Sequence, residues 1–269
     1  MVMESDAYRR GLLAAIGAGD ALSKDAVLTG LSPPPDGAEW SPVELPERPG
    51  RTADYREAPE PPRRKRGLDD AHGRLRFLHA IHHIELSAID LAVVCCSRGS
   101  GMPMAFHAAF LALAREEAGH AVLVEGLLRD RGFAPGSAPI HHRLWRSCLA
   151  CADLGEHLVV VPRVLEARGL DVSAALLPRL AGSDPEMHAV IDRIYDDEIR
   201  HVATGGRWHD HWCRERGIDP DAHFTATVAK HFPTGAGTPF PIDVAGRLAA
   251  GFTMADIDQL ARGGAERAR

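Results

Sequence analysis

Residues 115–120 (REEAGH) and 196–201 (DDEIRH) repeat one pattern: a glutamate three residues before a histidine, Glu117 with His120 and Glu198 with His201. On a helix, positions three apart share a face, so each step offers a carboxylate and an imidazole to one point. A further glutamate precedes each step, Glu85 before Glu117 and Glu166 before Glu198, at the same interval of 32 residues. Four carboxylates and two imidazoles are hard oxygen and borderline nitrogen donors. Such a set suits iron or manganese, whereas a structural zinc site is richer in cysteine.

The neighbours of these residues place them inside a protein. The helical face around Glu85 reads Leu78, Ile81, Ala88, Ile89 and Ala92, and that around Glu117 and His120 reads Phe110, Leu113, Val124 and Leu127. Around Glu198 and His201 it reads Met187, Ile191, Ile194 and Val202, and around Glu166 it reads Val159 and Pro162. Each acid interrupts an apolar stripe of the kind that packs into a core. Burying one unpaired carboxylate costs several kcal/mol, so four together require cations. Two divalent ions supply four positive charges. A Glu from each of two helices plus Glu-x-x-His from each of two others is the ligand set of ferritin-like dimetal bundles.

The chain must then supply long helices. Alanine, leucine and arginine dominate it, and aromatics make up 6%. Helix is expected over 6–18, 68–97, 103–131, 143–168, 172–182 and 184–214, with shorter pieces over 218–231 and 254–263. Pro103 suits a first helical turn, and Asp171 and Asp184 are expected as N-caps, the latter followed by Pro185. The nine residues from Ala134 to His142 could cross about 30 Å, the length of a bundle. For Glu166 to reach the level of Glu198, the third helix is expected to bend at RGLD, residues 168–171. Residues 32–62 are proline-rich and are expected to run extended over the surface. The expected fold is all-α: an N-terminal short helix and proline-rich arm over 1–67, a ferritin-like four-helix bundle over 68–214, and a helical extension over 215–269.

Other residues attach to this scheme. Glu156 rivals Glu166 as the ligand from the third helix, and the 32-residue spacing favours Glu166. His82, one turn before Glu85, is expected beside the site, and Glu116 and Asp197 could orient the two histidines. Cys148 and Cys151 form a C-x-x-C inside a helical pattern, which reads as core packing, and RRKR at 63–66 reads as a solvated linker. The net charge of −6 gives no global attraction to nucleic acid or an acidic membrane. No window reaches the roughly 20 apolar residues of a membrane span. The five cysteines and the acidic N-terminal stretch point to reduced thiols in the cytoplasm.

HAIHHIELSAIDLA, EEAGH, VPRVLEARGLDV and DDEIRHVATGGRW, taken together, resemble the bacterial ferritin-like family catalogued as domain of unknown function 455. The likeness runs from about residue 70 to GFTMADIDQLA near the C-terminus. More distantly, the layout is similar to the tRNA isopentenyladenosine hydroxylase and other dimetal carboxylate oxygenases. The resemblance implies a ferritin-like core with Glu85, Glu117, His120, Glu166, Glu198 and His201 as metal ligands. The second motif has the Asp-Glu-x-Arg-His form common among dimetal oxygenases, while the first has Glu116 and Gly119 where that form has Asp and Arg.

The expected function is that of a dimetal protein holding two iron ions, or manganese, and activating oxygen as a hydroxylase or oxidase. Its substrate would be a small molecule or, by the distant likeness, a modified nucleoside, which makes RNA a candidate partner. No flavin or nucleotide motif is present, so an oxygenase would need an external electron donor. The alternatives are a metal-handling protein, acting as ferroxidase or iron store, and a non-catalytic helical module with a structural metal site.

Overall fold

Aspartates open most of the helices. Asp20, Asp70, Asp153, Asp184, Asp219 and Asp243 each accept a hydrogen bond from the backbone N–H three residues on. Each satisfies one of the donors that a helix start leaves without a partner. A computed structural model of the chain describes residues 2–58, 70–237 and 240–262. These residues form an all-α protein with no strand; an isolated parallel bridge joins Glu57 to Ile140. The chain divides into two compact units, Met1–Arg146 and Ser147–Arg269.

The first unit holds α1 (Val2–Gly17), α2 (Ala21–Thr29), α3 (Ala71–Arg98) and α4 (Met104–Asp130). The long pair α3 and α4, joined by five residues, is its frame, and α2 packs against α4. Lys24 of α2 is fully buried. Its ammonium donates to Asp90 at 2.6 Å and to the carbonyls of Ala15 and Ile16 at 2.9 and 3.1 Å, at the C-terminal end of α1. Arg51 reaches the other oxygen of Asp90 at 2.8 Å. The acid in the middle of α3 is thus paired with two cations.

Residues 31–58 contain no helix and are tied to the unit at intervals. Trp40 donates through its indole to the Ser97 carbonyl, Gly50 donates to the Ile16 carbonyl, and Ala58 donates to the Ile140 carbonyl. The basic run at 63–66 lies outside the described residues. By length and composition α3 could cross a bilayer, but 89% of its most apolar 18-residue stretch is buried inside the protein. A core helix has that property too.

A short helix, α5 (Arg143–Leu149), leads the chain into the second unit, which holds α6 (Leu154–Leu158), α7 (Ala167–Leu180), α8 (Pro185–Arg214), α9 (Pro220–His231), α10 (Val244–Ala249) and α11 (Met254–Arg262). The continuous helix expected over 143–168 is in fact three pieces. Asp153 caps a new start at Leu154, and its neighbour Ala152 donates to the Glu156 carboxylate. From Val159 to Glu166 the backbone is π-helical, with Pro162 inside it. Proline has no N–H to give to a helical ladder, and the wider turn absorbs the misfit.

The helix is not broken at RGLD. The π turns pass directly into α7, which runs through these residues as regular helix. Asp171 is accordingly no N-cap. It lies within α7, fully buried, and accepts from Arg247 Nε at 2.9 Å, Arg247 Nη2 at 2.8 Å and the Asp243 N–H at 2.9 Å. Asp184 does cap α8, with Pro185 following it. The core of this unit joins Leu170, Val202, Phe224 and Phe252, with the Arg163 guanidinium 4.1 Å from the centre of the Phe224 ring.

Candidate metal centre

In the first unit, the apolar stripes of α3 and α4 meet, and their acidic interruptions meet with them. Glu85, Glu117 and His120 are 4%, 0% and 2% exposed. Ligand atoms of the three lie within 4.8 Å of one another. His120 Nδ1 stands 3.3 Å from Glu117 Oε2 and 3.4 Å from Glu85 Oε2. Burial alone would strip the proton from His120. Hydrogen bonds to Glu117 and Glu85, with their charges, outweigh it and push the imidazole pKa up to about 11. Two buried acids here face one imidazole and favour its protonated form.

The second unit presents the matching residues. The inward stripe of α8, Met187, Ile191, Ile194 and Val202, is buried, and Glu198 and His201 lie within it. His201 Nδ1 is 3.8 Å from Glu198 Oε1. Glu166 is the last residue of the π-helical segment and is half-buried. That segment packs against α8. The close approach depends on Gly205, where a Cβ would fall 2.2 Å from the Pro162 Cβ.

The rival acid is occupied elsewhere. Glu156 accepts from the Ala152 N–H, from Lys230 and from His231 at 2.9 Å. Burial pushes its pKa up, but these partners outweigh it and hold the carboxyl at about 2.

The expected neighbours of the ligands fall in three different places. His82 is buried one turn before Glu85, with Nδ1 3.0 Å from the Tyr55 hydroxyl and Nε2 3.5 Å from Glu125. Burial lowers its pKa to about 4, against the opposing pull of Glu125. Glu116 is exposed, since the position before an inward residue is turned about 100° round the helix. Asp197 is half-buried and pairs with Arg200 one turn on. All five cysteines are reduced and buried, and Cys151 donates to the Ser147 carbonyl within its own turn.

The donor set fits iron or manganese. In each unit it offers carboxylate oxygen with one imidazole and no thiolate. The sequence carried no comparable signal for a second group, His209, Cys213 and His223, whose ligand atoms also lie within 4.8 Å of one another. Its trace is an i, i+4 pair on one helix and a lone histidine on the next.

Residues 18–258 match a family described as "Protein of unknown function (DUF455)". An uncharacterized protein of Haemophilus influenzae is 35% identical over 204 residues, which cover 72% of this chain and 70% of that one. No solved structure matches the chain.

Proposed function

The chain belongs to this family, whose description assigns no activity, and we propose from the site itself that it is a dimetal carboxylate protein acting as an oxygen-dependent hydroxylase or oxidase. One observation carries the reading: Glu85, Glu117 and His120 are buried and converge within 4.8 Å. Glu166, Glu198 and His201 repeat the same residue types in the same order along the sequence, and the six residues have the composition of the ferritin-like ligand set for two iron ions, or manganese.

When bound, a ferrous pair supplies the electrons and open coordination positions with which dioxygen is reduced. The protein's residues do the rest. Four carboxylates would balance the charge of two divalent ions. His120 would hold the metal through a ring nitrogen and would release its proton on doing so, which would tie metal uptake to proton release. The apolar residues flanking each ligand exclude water and fix each side chain's rotamer. Fresh electrons come from a separate reductase.

The test is oxygen uptake by ferrous-loaded protein, prepared anaerobically and mixed with aerated buffer. Rapid uptake in the wild type, abolished in Glu117→Ala, is expected. A wild type that takes up iron but consumes no oxygen would rule out the oxidoreductase reading. Uptake accompanied by loading of many irons per chain would reassign the protein to iron storage.

A further inference from the structure

The second unit carries a cluster of different chemistry. His209 and Cys213 lie four residues apart on α8 and share a face. His223 reaches them from α9, which packs against that helix. His209 and Cys213 are both fully buried, and His223 is half-buried. His209 Nε2 is 2.9 Å from His223 Nδ1 and 3.5 Å from Cys213 Sγ. Zinc holds nitrogen at about 2.0–2.1 Å and thiolate sulfur at about 2.3 Å, which in a tetrahedron sets ligand atoms roughly 3.3–3.6 Å apart. The sulfur–nitrogen distance already has that value, and the two imidazoles need to part by a few tenths of an ångström.

We propose that His209, Cys213 and His223 form a mononuclear site for a thiophilic divalent cation, zinc in type, with water in the fourth position. Thiolate with two imidazoles selects zinc over the harder ions that carboxylates hold, so the site is chemically distinct from the Glu/His centre. Three protein ligands with one open position is the arrangement of zinc sites that exchange a ligand. His223, half-buried, lies on the side from which an ion could enter.

Binding rearranges protons in a defined way. In the metal-free protein, Arg163 Nη1 lies 3.3 Å from His209 Nδ1. An Arg donor there puts the imidazole proton on Nε2, from which it is given to His223 Nδ1. Coordination through His209 Nε2 moves that proton to Nδ1, where the Asp210 carboxylate, at 3.9 Å, is the acceptor at hand. Arg163 keeps its pairing with Asp256 at 3.2 Å. The Cys213 thiol loses its proton to solvent. One bound cation thus displaces one proton, and no redox change is involved.

Cobalt(II) alone is the probe, added to the full-length protein after chelator stripping. A thiolate-to-cobalt charge-transfer band in the near ultraviolet, with the intense visible bands of tetrahedral cobalt, should saturate at one equivalent. Both should vanish in Cys213→Ala and weaken by about tenfold or more in His223→Gln, a half-exposed position where folding is easily checked by circular dichroism. Both should persist in Glu117→Ala. Wild-type protein without a thiolate band would overturn the proposal, as would a band that survives in Cys213→Ala or in folded His223→Gln.

Discussion

Glu156 and Glu166 belong to the same run of chain, yet their surroundings give them different chemistry. Glu156 is committed to Lys230, His231 and the Ala152 N–H, which hold its carboxyl at about 2, below the ordinary 4.5. A carboxyl with a lowered folded pKa adds stability above its unfolded pKa and loses it as pH falls through the folded value. The thermal midpoint of the protein should therefore drop between about pH 5 and pH 2, and Glu156→Gln should flatten that drop. An identical acid limb in wild type and variant would show that the three contacts contribute nothing. Glu85, Glu117 and His120, which the structure brings together, stood out in the sequence because they belong to a doubled, evenly spaced set within apolar stripes. Lys24 with Asp90, and His209 with Cys213 and His223, did not. Lys24 and Asp90 come from separate helices, and His223 comes from a different helix than His209 and Cys213, so only the fold brings each group together.

Among the elements, α3, α4 and α8 could be read from the sequence because each is long, periodic and bounded by a cap or a proline. The stretch from 143 to 182 could not be read correctly. Its apolar pattern is continuous, but Asp153 restarts the helix and Pro162 is accommodated by π turns that shift the phase of α7. The π segment and α8 carry Glu166 and Glu198, so their close packing at Gly205 bears on the site. Gly205→Leu should push the two apart, lower stability by about 1–3 kcal/mol and weaken metal retention. Gly206, with nothing within 4 Å of an added Cβ, is the control. Gly206→Ala should be neutral or stabilising by up to about 1 kcal/mol. Denaturant midpoints of the two variants separate the outcomes, and equal effects would refute a close contact at Gly205.

At the scale of the whole molecule, each compact unit by itself brings a glutamate and a Glu-x-x-His pair to buried or half-buried positions. The family description supplies no activity, so the metal itself decides the function. The most direct measurement is iron per chain after anaerobic ferrous loading and desalting. It is best made in a Cys213→Ala background, so that the thiolate cluster adds nothing to the count. A dimetal centre predicts about two irons per chain, falling below one in Glu117→Ala and in Glu198→Ala while circular dichroism shows both variants folded. A parent protein that retains no iron, or variants that retain as much as the parent, would contradict it.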